Sequence, residues 1–156
     1  MLSSLRNLSA PSAGIVSLVG IQNLGSGGAL TAGVESLDFT QNLTTDLSPL
    51  SGLTGLTELA LWGNSISDIS ALSGLTSLGH IGLEQNSITD ISALRGLTSL
   101  TNIGLGFNAD LTNIQPLLDN TGLGAGDDLN LRFTNVSCTD VAALEAKGVA
   151  VLSFCS

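Results

Sequence analysis

The 156-residue sequence is poor in positive charge, with four Lys and Arg against thirteen Asp and Glu, for a net charge of −9. Phosphate binding needs clustered cations, and Arg6, Arg95, Arg132 and Lys147 are scattered, which argues against nucleic acid. The same scarcity argues against an anionic membrane surface. Charged residues make up only 11% of the chain and aromatics 3%, with no Tyr. Long apolar runs are also missing, despite a mean hydropathy of +0.43. Ser, Thr, Asn and Asp interrupt every run well before the roughly 18 residues that a membrane span requires. Disorder is excluded too, because 43% of residues are hydrophobic, with Leu the most frequent of all. What remains is one regular domain built on Leu, with polar residues that are mostly uncharged.

The regularity is a repeat. Leu53, Leu75 and Leu97 open successive segments 22 residues apart: LTGLTELALWGNSISDISALSG, LTSLGHIGLEQNSITDISALRG and LTSLTNIGLGFNADLTNIQPLLDN. The third carries one extra residue after Asn108. Upstream, Val34, Leu37, Phe39, Asn42, Leu47 and Leu50 keep the same phase. Leu2, Leu5, Leu8, Ile15, Leu18 and Ile21 form a degenerate first copy. The Gly-rich stretch GSGGALTAG reads as an insertion and therefore as a surface loop. These boundaries give one domain over 1–156: a degenerate first repeat (2–23), a repeat with the insertion (24–52), regular repeats (53–74, 75–96, 97–120) and a C-terminal cap (121–156).

Each unit holds a short alternating L-x-L, a turn Asn, and then I-x-D-I-x-x-L, whose three-residue spacing suits a 3₁₀ turn. One such coil cannot bury its Leu face, but stacked coils can. Leu59, Leu61, Ile66, Ile69, Leu72, Leu78, Ile81, Leu83, Ile88, Ile91 and Leu94 are expected in the core. Over residues 2–120 the pattern resembles the leucine-rich-repeat family, and its x-D-I-x-x-L half resembles the bacterial internalin-like subclass. The resemblance implies an α/β repeat fold: a right-handed solenoid with one short parallel strand per coil and 3₁₀ turns on the convex side. Asn42, Asn64, Asn86 and Asn108 are expected to satisfy backbone groups at the bend, since an amide both donates and accepts. Asp46, Asp68 and Asp90 are expected to cap the 3₁₀ turns rather than to form a Ca²⁺ track.

Bare Leu at a solenoid end must be covered. Residues 128–133 read as a strand, DVAALEAKG as a helix with Thr139 as its cap, Lys147 in its last turn and Gly148 as its stop, and 149–154 as a final strand. That order is a βαβ crossover closing the C-terminal end. The only two cysteines, Cys138 and Cys155, flank its helix and last strand. Metal binding would need more ligands, and a redox pair is more often C-x-x-C, so no metal or cofactor is expected. A structural disulfide is favoured, with two buried thiols as the alternative. A disulfide implies an extracellular or cell-surface setting, whereas free cysteines would fit the cytoplasm. Met1-Leu2-Ser3 begins no signal peptide, so a mature or excised segment is expected.

On the outer face of the sheet, alternation places the side chains that the repeat leaves unassigned. Asp38, Ala60, Gly82, Gly104 and Asn130 form a shallow trough walled by Glu58, Trp62, His80, Glu84, Asn102 and Arg132. These six are the candidate partner-binding residues, with Trp62 as the hot-spot candidate; its alternative role is to lie flat over the glycines. No nucleophile with a base and an orienter can be assembled around His80, and Gly104-Leu105-Gly106 lacks the following helix of a phosphate loop, so no enzyme is expected. The family resemblance implies protein recognition on the concave face. The competing reading is a surface array, ordering water or ice or packing against another solenoid, through Thr54, Thr76 and Thr98.

Overall fold

The computed structural model describes residues 6–21 and 33–155. Leu2, Leu5 and all but the last residue of GSGGALTAG lie outside the described residues. Among the described residues, seven three-residue strands form one parallel sheet in chain order: β1 (Asn7–Ser9), β2 (Ser36–Asp38), β3 (Glu58–Ala60), β4 (His80–Gly82), β5 (Asn102–Gly104), β6 (Asp128–Asn130) and β7 (Ala150–Leu152). The register follows the repeat: Leu8, Leu37, Leu59, Ile81, Ile103, Leu129 and Val151 pair in succession. The middle residue of each strand points into the solenoid, and its two neighbours face outward. Together with the 3₁₀ turns, this is an unclosed leucine-rich-repeat solenoid.

The convex side carries 3₁₀ turns at Ser48–Leu50, Ser70–Leu72 and Ser92–Leu94, each sending its last Leu into the core at 0% exposure. In the longer 97–120 coil a short helix, α1 (Gln115–Leu118), takes that place, started by Pro116. All eleven core residues expected from the pattern are exposed by 2% or less.

The Asn ladder stitches coils together. The Asn86 side-chain oxygen accepts from the Ile66 N–H at 2.9 Å, and its Nδ2 donates to Leu61 O at 3.1 Å and Leu83 O at 3.0 Å. Asn108 repeats this one coil on, with Ile88 N–H, Leu83 O and Leu105 O. Each amide therefore satisfies its own bend and the preceding one. Asp46, Asp68 and Asp90 each accept the N–H of the Ser two residues later at 2.8 Å, and so cap the 3₁₀ turns as expected. In the 97–120 coil Asn113 does the same for Gln115 at 2.9 Å.

A second amide was not evident from the repeat. Asn120 is fully buried, donates to Leu94 O and Leu97 O, and accepts from Gly122 N–H. Gly122 is required there, because a Cβ would collide with the Thr98 carbonyl.

The C-terminal cap is the crossover β6–α2–β7, with α2 spanning Cys138–Ala146 and burying Val141 and Leu144. Its details correct the sequence reading. Ser137, not Thr139, caps the helix: its hydroxyl oxygen accepts from Asp140 N–H at 3.1 Å, and the hydroxyl donates to the Asp140 carboxylate at 2.8 Å. The Ser-x-x-Asp spacing allows both bonds, and Thr139 lies already inside the first turn. Lys147 lies just past the last turn and points away from its own helix, donating from Nζ to Leu118 O at 2.9 Å and Asn120 O at 2.8 Å. Gly148 ends the helix at φ +95°. The flanking strands are shorter than the 128–133 and 149–154 of the alternation. The Cys138–Cys155 disulfide closes the cap, with the two Cα atoms 5.3 Å apart.

Candidate recognition surface

The outer face of the sheet is a lattice fixed by register. One column runs Asn7, Ser36, Glu58, His80, Asn102, Asp128 and Ala150; the next runs Ser9, Asp38, Ala60, Gly82, Gly104, Asn130 and Leu152. Adjacent strands lie roughly 5 Å apart, so Glu58, His80 and Asn102 stand side by side. With Glu84 they line one depression over β2–β5. A second depression, over β5–β7, is lined by Glu84, Asn102, Asp128 and Leu152 among others.

The middle column is shallow, but not for the reason that Trp62 would supply. The Glu84 side chain, rather than the indole, lies over the glycines: a Cβ on Gly104 would overlap its carboxylate, and one on Gly82 would sit 3.3 Å from Oε2. The lack of a side chain at these two positions is what lets Glu84 fold across the face. Trp62 is 37% exposed at the rim. It shares a notch of about 340 Å³ with Glu84, Gln85, Phe107 and Asn130.

Five of the six candidate residues thus line three hollows that all share Glu84. Arg132 stands apart. It is exposed on the β6 coil and lines none of the three.

The sequence reading also missed an aromatic ledge along the same rim. Phe107 stacks on Phe133 with ring centroids 4.2 Å apart, and Phe133 meets Phe154 edge-on at 4.8 Å. All three rings are more than half exposed, at 51%, 52% and 66%. A signal existed in Leu105-Gly106-Phe107 and Leu131-Arg132-Phe133, where a Phe follows L-x in two successive coils. The longer 97–120 coil sets the pair 26 residues apart instead of 22 and hides the match.

The electrostatics of the face are one-sided. Arg6 pairs with Glu35 and Arg95 with Asp119, while Lys147 is held by backbone carbonyls. Asp38, Glu58, Glu84 and Asp128 therefore dominate the face, with Arg132 as its one cation. Asp38 is tied down by Ser9 at 3.1 Å and by Thr40 N–H at 3.1 Å. No hydrogen bond or ion pair engages the Glu84 carboxylate among the described residues. No described helix is long and apolar enough to cross a membrane.

Comparison with known proteins agrees with this architecture. The family model described as leucine rich repeat matches residues 54–109. Among solved structures, an internalin of Listeria monocytogenes (inlF) is 29% identical with a TM-score of 0.79, over 98% of this chain and 48% of that one. The chain thus spans about half the length of that protein. Internalin C2 of the same organism is 25% identical with a TM-score of 0.53, over 95% of this chain and 80% of that one. The plant peptide hormone receptor RGFR1, solved in complex with RGF2, shares only the fold: 18% identity and a TM-score of 0.70, over 97% of this chain and 25% of that one. No curated protein matches. The 22-residue Leu, Asn and Asp ladders, the single parallel sheet and these likenesses together give the chain a leucine-rich-repeat solenoid fold that is similar to the Listeria internalins.

Proposed function

We propose that this chain is a non-catalytic recognition module, one repeat domain over 1–156, that binds a protein partner through the concave face of its sheet. Solenoids of this class commonly use such faces for binding. The observation that carries the reading is the division of labour in each coil. The Leu, Asn and Asp positions are consumed by the core, the bends and the turn caps, whereas the side chains of Glu58, Trp62, His80, Glu84, Asn102 and Arg132 make no hydrogen bond or ion pair among the described residues. They are displayed from a rigid frame, so little ordering entropy is lost on association. The Cys138–Cys155 disulfide supports an extracellular or cell-surface setting.

The test is capture of a partner from culture medium or native lysate, with wild type beside Trp62→Ala and Thr76→Leu. Trp62→Ala is expected to weaken binding by about 2 kcal/mol while leaving the melting temperature nearly unchanged. A surface array on the exposed Thr54, Thr76 and Thr98 predicts the reverse, with Trp62→Ala silent and Thr76→Leu disruptive. That outcome would overturn the concave-face reading.

A further inference from the structure

We infer that the notch between Trp62 and Phe107 is a subsite for a cationic side chain, a guanidinium above all, presented by a basic segment of the protein partner. The inference rests on the concave-face reading above and deepens it by naming the chemistry of what is recognised. Three features of the geometry carry it.

The first is the pairing of walls and floor. Trp62 and Phe107 come from coils two apart, and Glu84 comes from the coil between them, so two aromatic rings flank one carboxylate in a single notch. Aromatic faces attract a cation through the ring quadrupole, and the carboxylate adds charge-assisted hydrogen bonds. A planar guanidinium uses both at once, because it stacks on a ring while its N–H groups donate at its edge.

The second feature is that the carboxylate is available. Arg6, Arg95 and Lys147 are engaged elsewhere, and no described residue pairs with Glu84. Gly104 is what lets its side chain lie in this position. The surrounding Glu58 and Asp128 make the potential over the face negative and so favour approach of a basic partner.

The third feature is the placement of Phe107. It sits at φ +60°, a left-handed conformation that is costly for a bulky residue. The same bend carries Gly63 at φ +71° and Gln85 at φ +53°, and packing does not demand a Phe there, because the ring is 51% exposed. Its contact with Phe133 fixes the ring that walls the notch.

The chain contains no Tyr and a single Trp, so its fluorescence excited at 295 nm reports Trp62 alone. The experiment titrates the purified protein at low salt with capped hexa-arginine, and in parallel with hexa-citrulline, the uncharged near-isostere. A saturable change in Trp62 emission is expected with the arginine peptide and none with the citrulline peptide. Glu84→Gln and Phe107→Ala should each weaken the arginine peptide about tenfold, with melting temperatures close to wild type. Asp128→Asn removes the same unit of charge from the same face and should weaken it about twofold.

Equal weakening by Asp128→Asn and Glu84→Gln would overturn the subsite in favour of bulk electrostatic attraction. Binding of both peptides alike, or no saturable change, would overturn it as well. These outcomes are distinct from failure of the concave-face reading, which shows instead as partner capture that is indifferent to Trp62→Ala.

Discussion

At the C-terminal end of the solenoid, α2 lays Val141 and Leu144 against the last coil at 2% and 0% exposure, and a disulfide fastens the helix to the strand that follows. At the other end, the first described coil holds Leu8 and Ile15 only half-buried and leaves Val16 and Val19 exposed by 63% and 76%. Both coils present the same apolar edge, since Leu8 and Val151 occupy the same register position as Leu59. What differs is the covering. Interior coils gain burial from two neighbours, whereas an end coil gains it from one neighbour plus whatever cap the sequence supplies. The comparison predicts a gradient of local stability that depends on covering and not on repeat quality.

The sharpest way to break that comparison is a pair of truncations. Leu144→Ala, in the fully buried face of α2, should cost about 3 kcal/mol, because it removes transfer energy and leaves a cavity beneath a rigid cap. Ile15→Ala, in the half-buried first coil, should cost about 1 kcal/mol, since solvent already reaches the site. Urea unfolding of the two variants measures both. Equal costs would mean that the ends are covered alike in solution.

The next largest effect is removal of the Cys138–Cys155 link. The closed loop of 17 residues should contribute about 3 kcal/mol through the entropy of the unfolded chain. Reduction should therefore raise hydrogen exchange first in α2 and β7, while the 53–96 coils stay protected. If exchange rises uniformly along the chain on reduction, the cap is not a separable unit.

Much of this contrast was readable from the residues, and what was not has identifiable physical causes. Periodicity exposed the strand register, the core and the Asn and Asp ladders, because each recurs where neighbouring coils demand the same chemistry. The details of the cap are single events with no second copy to average over. Ser137 displaced Thr139 as the helix cap because only its spacing to Asp140 allows the reciprocal bond. Lys147 bonds carbonyls about thirty residues away, a contact that local spacing cannot announce. On the recognition face, alternation placed Glu58, Trp62, His80, Glu84 and Asn102 on one side. It could not show that Glu84 lies over Gly104, nor that Phe107, Phe133 and Phe154 stack, because those depend on side-chain direction across coils.

A smaller effect sharpens the role of the interior coils. Asn86→Ala should cost about 2 kcal/mol, since it strands the Ile66 N–H and leaves the Leu61 and Leu83 carbonyls with only the Asn64 and Asn108 amides as side-chain donors. Thermal unfolding measures it. A variant as stable as wild type would mean that water replaces the amide at both bends.

The smallest effect concerns acid, and the four turn caps contain their own control. Asp46 and Asp68 have pKa values held below the usual carboxylate range, chiefly by the backbone N–H bonds from Ser48 and Ser70 and then by the hydroxyls of the same residues. A depressed folded-state pKa means that the native protein prefers the ionised form. The associated stability is present above the ordinary aspartate value of about 4 and is lost as pH falls through the lower folded value. Asn113 makes the equivalent bond to Gln115 with an oxygen that does not titrate. Asp68→Asn should therefore keep the cap, leave stability at pH 7 little changed, and flatten the decline in urea midpoint between pH 5 and pH 2 relative to wild type. Both aspartates are fully exposed, so the flattening should be modest and should shrink with added salt. An acid limb as steep as wild type in Asp68→Asn would show that other carboxylates set the acid stability of the interior coils.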